Sequence, residues 1–343
     1  MLKSKRLPCF IISIGNIVVG GTGKTPITMY VAETVRILGY KAVIISRGYK
    51  GKAEAVGGVV GDGRSLLMTP EASGDEPFMM AARLKNVPVV IGKDRFKAGV
   101  LAMQKFNPDV LVLDDGFQHL RLQRNLDFVL LNDRNPFGNG HLLPRGVLRE
   151  PISTLLMADA VISTKSGAAE GNRALSSMEK FSVFEREKPV YQAGINPFVY
   201  KVFKGKKSQF DNFMPGASKY HSEPINGRTV FAFSGLADNL QFRRTVEGFK
   251  CRLSGFMEFP DHHSYTEKDL KNILAAAQKS RSDALVTTEK DYVRFAHNLE
   301  WCVDLFVIGI EIDFGPDRKR FNDFIKDRIE KWCASDAYIM KDA

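Results

Sequence analysis

Apolar residues in the first half of the chain fall into two alternating kinds of run. Short, β-branched or unbroken runs at Cys9–Ile14, Ala42–Ser46, Val87–Ile91, Val110–Leu113, Phe128–Leu131 and Ala160–Ser163 have the length and composition of buried strands. Between them, residues 25–38 place Ile27, Tyr30, Val31, Val35 and Leu38 at helical spacing, with Pro26 in the first turn and Gly39 as a stop. Ala98–Phe106 repeats the helical pattern. This alternation predicts an α/β fold, a doubly wound and mostly parallel sheet whose ligands sit at the carboxyl ends of its strands. The chemistry is therefore expected just after Ile14, Ser46, Ile91 and Leu113.

The pattern lapses over residues 165–225, which are rich in Lys, Ser and Gly and contain Pro189, Pro197, Pro215 and the basic run Lys201–Lys207. That stretch reads as a domain connection, with short strands at 190–193 and 198–203. From Thr229 alternation resumes: a strand at Val230–Phe233, helices at 236–248 and 267–280, strands at Ala284–Thr287 and Asp304–Ile310, and a final amphipathic helix over 317–332. A chain of 343 residues is long for one core. The organisation expected is a nucleotide-binding domain at 1–185 and a smaller α/β domain at 186–343, closing a cleft between them. No internal repeat interrupts this reading.

Composition narrows the class. Hydrophobic residues at 44 % and charged residues at 26 % fit an ordinary soluble globular protein. Cys9, Cys251, Cys302 and Cys333 are far apart and form no Cys-x-x-Cys pair, which argues against a zinc ribbon or a disulfide framework and fits a reducing compartment. Lys3, Lys5 and Arg6 ahead of Phe10–Ile12 imitate a secretion signal, but the apolar run is short and leads directly into a glycine-rich turn. No run approaches the ~18 apolar residues of a transmembrane helix. A net charge of +10 favours a polyanionic partner, whether an anionic membrane or a phosphorylated substrate. Without an aromatic-and-basic recognition motif, nucleic acid is not expected.

The most informative stretch is Val18-Val-Gly-Gly-Thr-Gly-Lys-Thr-Pro26. It follows a strand and opens a helix, the context of a phosphate-binding loop. Gly20, Gly21, Thr22 and Gly23 would let backbone N–H groups converge on phosphate oxygens, helped by the positive end of the helix that Pro26 begins. Lys24 would reach the β- and γ-phosphates and Thr25 would hold Mg²⁺. Val18 stands five residues before Gly23, where the general pattern wants a glycine, so the loop is a variant. A glycine turn that merely closes a helix onto a sheet is the bland alternative.

Other polar clusters fall where ligands are expected. Asp114 and Asp115 end an apolar strand, where a carboxylate would complete a Mg²⁺ shell, although paired Asp is also common turn chemistry. Gln118 and His119 would face the same crevice. Asp75 and Glu76, in Gly74-Asp-Glu-Pro77, read from local physics as a helix cap and first-turn acid. Asp261-His262-His263 lacks further ligands at zinc spacing, so a base or a base's partner is the better reading. Arg47, Tyr49 and Lys50 lie in a cationic loop suited to an anionic group, or simply to solvent. Arg149 and Glu150 belong to a proline-flanked polar cluster with Arg145. The partitioning ATPases carry an extra lysine where this chain has Val19, and the guanine-reading Asn/Thr-Lys-x-Asp is broken at Thr164-Lys-Ser-Gly167. ATP is the expected nucleotide.

Taken together these pieces resemble the tetraacyldisaccharide 4'-kinases of lipid A biosynthesis. The resemblance is carried by Ser13-Ile-Gly-Asn-Ile-Val-Val-Gly-Gly-Thr-Gly-Lys-Thr-Pro26, Ser46-Arg-Gly-Tyr49, Gly74-Asp-Glu-Pro77 and Asp114-Asp-Gly-Phe-Gln-His119. It continues through Leu142-Leu-Pro144, Leu148-Arg-Glu-Pro151, Phe233-Ser-Gly-Leu236, Phe259-Pro-Asp-His262 and Thr287-Thr-Glu-Lys-Asp291. It implies ATP- and Mg²⁺-dependent phosphorylation of the 4'-hydroxyl of a lipid A disaccharide 1-phosphate. The site implied is peripheral, on the anionic cytoplasmic face of the bacterial inner membrane, with no stable protein partner. It also implies that Asp75 and His262 form a catalytic pair. Asp115 would then join Lys24, Thr25 and Mg²⁺ in neutralising the phosphates, Arg47, Tyr49 and Lys50 would meet substrate, and Asp114, Gln118, His119, Arg149 and Glu150 would support the site. The family usually carries an apolar or amphipathic segment before the first strand, of which Leu2–Pro8 looks like the tail.

Overall fold

The runs that are apolar on every residue become the centre of a sheet. In the structure, a computed structural model that describes residues 4–133, 135–166, 188–205, 225–295 and 303–339, β1 (Phe10–Asn16) is buried along its whole length. It lies between β5 (Val110–Asp114) and β6 (Leu126–Asn132), parallel to both. Burial on both faces explains why these strands read as continuous apolar runs rather than as alternations.

Twelve strands form one sheet, in the order β10-β9-β11-β12-β8-β7-β6-β1-β5-β2-β4-β3. The remaining strands are β2 (Ala42–Ser46), β3 (Gly58–Gly61), β4 (Val89–Ile91), β7 (Ala160–Ser166), β8 (Val190–Phe203), β9 (Thr229–Ser234), β10 (Arg252–Glu258), β11 (Ala284–Thr288) and β12 (Asp304–Asp313). Pairing is parallel except for β3 with β4 and β8 with β12. The helices are α1 (Lys24–Ile37), α2 (Pro70–Ser73), α3 (Asp75–Arg83), α4 (Arg95–Phe106), α5 (Asn239–Glu247), α6 (Glu267–Lys279), α7 (Glu289–Phe295) and α8 (Arg318–Ile339). The mostly parallel α/β sheet expected from the sequence is therefore the observed fold.

Three features depart from the expectation. The strands expected at 190–193 and 198–203 are one strand, β8, which pairs in parallel with β7 up to Ile195 and antiparallel with β12 from Gly194 onward. Pro197 lies two residues beyond Ile195, the last of β8 to pair with β7 among the described residues. Edge strands β3 and β10 escaped the pattern because both are glycine-containing and incompletely buried. Helix α7 starts directly at the end of β11 and spans only seven residues, too short for a periodic signal. The rest of the expected connection, at 167–187 and 206–224, lies outside the described residues, as does Cys302.

Aromatic packing ties the end of the chain to its beginning. Phe321, fully buried on α8, stacks on Phe314 at 4.1 Å and meets Phe128 at 5.1 Å and Tyr191 at 5.0 Å between ring centroids. These rings join a core that includes Phe10, Ile12, Ile14 and Val31. A second core, with Phe233, Leu270, Leu285, Tyr292 and Phe295, lies under the far half of the sheet. Truncating a buried Phe costs about 3–5 kcal/mol through lost transfer energy and a residual cavity. Phe321→Ala is expected to lower unfolding stability by about that amount in denaturant titrations, with an unchanged m-value.

Candidate active site

The loop after β1 is fixed by backbone geometry first. Gly23 caps α1 with φ 82°, a left-handed conformation that suits glycine, and no side chain bonds to the helix start. The orphan N–H groups of the first turn thus stay available to an anion. Neighbouring strands hold the loop in place. Asn16 Nδ2 donates to Thr22 Oγ1 at 2.9 Å, Gln118 Nε2 donates to the Asn16 carbonyl at 2.7 Å, and Val19 N donates to the Val147 carbonyl at 2.8 Å. Gln118 thus ties the segment after β5 to the end of β1.

At the end of β5 the two aspartates diverge. Asp114 is only 4 % exposed and accepts from Thr28 Oγ1 and Ser46 Oγ, each at 3.1 Å. Burial, reinforced by the charges of Glu76 and Asp115, pushes its carboxyl up to about 6. Asp115 has a left-handed φ of 51° and reaches outward, pairing with Arg149 at 3.0 Å and with Lys24 at 3.7 Å. Arg95, also buried, donates from Nη2 to the Asp114 carbonyl at 3.4 Å.

His119 does not join these carboxylates by any hydrogen bond or ion pair among the described residues. Burial and the charge of Arg95 hold its imidazole below the usual range, and its carbonyl accepts from Arg124. Glu150 is half-buried and likewise makes no such bond to the other candidates. Its neighbour Arg149 is anchored through N to the Ile17 carbonyl at 2.7 Å.

Asp75 overturns the local reading. It opens α3, but the cap position is Gly74, and the Asp75 side chain makes no cap bond. Instead Asp75 Oδ2 accepts from His262 Nδ1 and from Arg294 Nε, both at 2.9 Å. Its burial raises the carboxyl, but the bond from His262 and the charge and bond of Arg294 outweigh that and hold it below the ordinary range. An ionised carboxylate only accepts, so His262 Nδ1 must carry the proton. Tertiary partners have won over local capping.

Glu76 links this pair to the phosphate loop. Its Oε2 accepts from Thr25 Oγ1 at 3.3 Å, and its Oε1 pairs with Lys290 at 3.4 Å. Lys290 also lies 3.6 Å from Asp261, beside His262. The cationic loop after β2 closes the other flank: Tyr49 stands edge-on to His262, ring centroids 6.1 Å apart, with Arg47 and Lys50 each 5.7 Å from the Tyr49 ring. His263 bonds Asp269 at 3.1 Å, so the adjacent histidines serve different partners. Among the described residues no group of three metal-ligating side chains is preassembled. Sequence reasoning gave no role to Thr28, Ser46, Arg95, Lys290 or Arg294; only the Thr-Thr-Glu-Lys-Asp motif pointed near the last two.

A glycine loop opening an uncapped helix with Lys-Thr, and carboxylates on the neighbouring parallel strand, define a phosphate-loop kinase fold. The chain belongs to the tetraacyldisaccharide-1-P 4'-kinase family, whose model matches residues 1–330. It is 39 % identical over 332 residues to the tetraacyldisaccharide 4'-kinase of Desulfatibacillum aliphaticivorans, covering 96 % of this chain and 86 % of the relative. It is 37 % identical to that of Syntrophus aciditrophicus, over 93 % and 84 % of the two chains. A crystal structure of LpxK from Aquifex aeolicus in complex with ATP superposes with a TM-score of 0.71 at 31 % identity, covering 96 % of this chain and 91 % of that one.

Asp114 makes a pH prediction. Its carboxyl binds a proton more tightly folded than unfolded, so its contribution to stability falls as pH rises from about 4 to about 6. Asp114→Asn is expected to remove that fall, so that stability declines less, or rises more, between about pH 4 and about pH 6 than in the parent chain, as read by thermal unfolding at stepped pH. An unchanged slope contradicts the assignment.

Proposed function

We propose that this chain transfers the γ-phosphoryl group of ATP to the 4'-hydroxyl of tetraacyldisaccharide 1-phosphate in lipid A biosynthesis, with Asp75 accepting the hydroxyl proton. The observation that carries this reading is the 2.9 Å bond between His262 Nδ1 and Asp75 Oδ2, next to a Glu76 that bonds Thr25 of the phosphate loop. Oδ2 takes both of the Asp75 bonds, and among the described residues none reaches Oδ1. Oδ1 is the oxygen left to receive a proton.

The acceptor oxygen forms a bond to the γ-phosphorus as the bond to the β,γ-bridging oxygen breaks; ADP leaves and the proton goes to Asp75. Such transfers have loose transition states in which the nucleophile is deprotonated late, so orientation counts for more than basicity. Lys24 and the open N–H groups of α1 neutralise phosphate charge. Tyr49, Arg47 and Lys50 border the same pair and suit the anionic sugar. Asp114 and Gln118 buttress the loop, and Arg149 fixes Asp115.

Mg²⁺ fits this donor set. Thr25 and Asp115 offer hard oxygens, and the crowding of Asp114 by Glu76 and Asp115 is the like-charge strain a divalent cation relieves. The cation needs only one or two protein ligands, since phosphate oxygens and waters complete its shell. It would neutralise charge on the transferring phosphates.

Asp75 lies in the first of the two units, 1–185, and His262 in the second, 186–343. Opening of the cleft between them would part the pair and closure restore it, which would limit idle ATP hydrolysis. No helix among the described residues is long and apolar enough to cross a membrane. Attachment to the anionic cytoplasmic face of the inner membrane would draw on the basic surface, at about 1 kcal/mol per Lys or Arg near the lipid.

The test is transfer of label from ATP to the disaccharide 1-phosphate. Asp75→Ala and His262→Ala are each expected to lower kcat by about 10²–10⁴-fold while ATP still binds. Lys24→Ala is expected to abolish transfer. Near-normal turnover in both Asp75→Ala and His262→Ala removes the pair from the mechanism.

A further inference from the structure

Helix α7 lies along α3 and meets it through three ion pairs. Glu289 reaches Arg83 at 3.2 Å, Lys290 reaches Glu76 at 3.4 Å, and Arg294 reaches Asp75 at 2.9 Å. Arg294 is the most constrained of these, its side chain only 5 % exposed.

Its guanidinium is tethered at the end away from Asp75. Nη1 donates to Asp291 Oδ1 at 3.0 Å and to the Gly235 carbonyl at 3.1 Å. Asp291, fully buried, is itself locked: it accepts from Thr288 Oγ1 at 2.6 Å and from Gly235 N at 3.0 Å. A Cβ on Gly235 would lie 2.9 Å from the Pro260 carbonyl and 3.1 Å from Asp291 Oδ1, so the chain crosses here too closely for any other residue. The Phe-Ser-Gly-Leu, Phe-Pro-Asp-His and Thr-Thr-Glu-Lys-Asp segments thus converge on one guanidinium. That leaves Nε with a single partner, Asp75 Oδ2.

Two donors on one oxygen fix a carboxylate's rotation, whereas one donor leaves it free to swing. A buried ion pair is a poor device for stability alone, since well-packed apolar residues often serve as well. We propose that Arg294 is a positioning residue for phosphoryl transfer: held by Asp291 and the Gly235 carbonyl, it pins Asp75 Oδ2 and so turns Oδ1 toward the acceptor hydroxyl. This rests on the reading of Asp75 as the proton acceptor. The charged groups around Asp75 are Glu76 on α3, Asp261 and His262 on the loop after β10, and Lys290, Asp291 and Arg294 on α7. Removing Arg294 deletes a cation from this set, so Asp75 holds its proton to higher pH.

The test is Arg294→Gln in the full chain, assayed with labelled ATP and the disaccharide 1-phosphate across pH. The expected result is a fall in kcat of about 100-fold, the size of loss that a small misplacement of a reacting group produces. The acidic limb of the rate profile should move to higher pH, with the KM for ATP unchanged. In an Asp75→Ala background the same substitution should cost nothing further, because Arg294 acts through Asp75. If Arg294→Gln lacks a cooperative thermal transition, the paired variant Arg294→Gln with Asp291→Asn removes both buried charges and carries the same expectation. A folded variant with wild-type kcat and an unmoved pH profile overturns the proposal. If Asp75→Ala has lost turnover, only the positioning role falls; if Asp75→Ala is also near wild type, the proton-acceptor reading falls with it.

Discussion

Two 2.9 Å hydrogen bonds onto one carboxylate oxygen, Oδ2 of Asp75, join segments 187 and 219 residues apart in the chain. Few contacts demand so much of a fold. The Asp75 side chain is only 16 % exposed, and a carboxylate so enclosed is costly unless its charge is met by donors at correct geometry. His262 and Arg294 meet it, but only if α3, the loop after β10 and α7 all hold their places. His262 itself sits at φ 64°, a conformation that the surrounding structure must impose.

The sheet supplies that constraint. β1 and β5 are in register with Ile14 opposite Asp114, so the phosphate loop and the paired aspartates leave the sheet side by side at its carboxyl edge. In the far half, the loops that follow β9 and β10 deliver Gly235 and His262, and α7 follows β11 without a break. β8 joins the halves, parallel to one neighbour and antiparallel to the other. One sheet thus sets the distances on which the carboxylate's two partners depend. The ion pairs between α3 and α7 then fix the approach of one helix to the other.

How much of this was legible in the chain follows from the range of each interaction. Buried parallel strands such as Ala42–Ser46 announce themselves, because both faces demand apolar residues and the run is unbroken. The Gly-Lys-Thr turn is equally local: its glycines, its lysine and the helix it opens are consecutive. Edge strands β3 and β10 answer to neither rule. Asp75 was misread by local physics because Asp and Glu at a helix start are good first-turn residues whatever else they do; only the family resemblance linked Asp75 to His262. Arg294 was given no role by either, since of its partners only Asp291 lies within a few residues of it. Its other partners come from the end of β9 and from α3.

Two carboxylates near the phosphate loop are driven in opposite directions by their surroundings. Asp114 is enclosed with hydroxyl donors and like charges nearby, and it holds its proton up to about 6. Asp75 is enclosed with an imidazole and a guanidinium, and it gives its proton up more readily than a free aspartate does. Such separation commonly distinguishes groups with different roles in one site. A carboxylate held ionised is a weak base, which would disqualify it where proton abstraction is the barrier. Phosphoryl transfer does not set that requirement, because the acceptor hydroxyl sheds its proton only as its bond to phosphorus forms. In the role proposed for Asp75, the reaction asks for an oxygen in the right place and free of a proton beforehand, and both follow from the two donors on Oδ2.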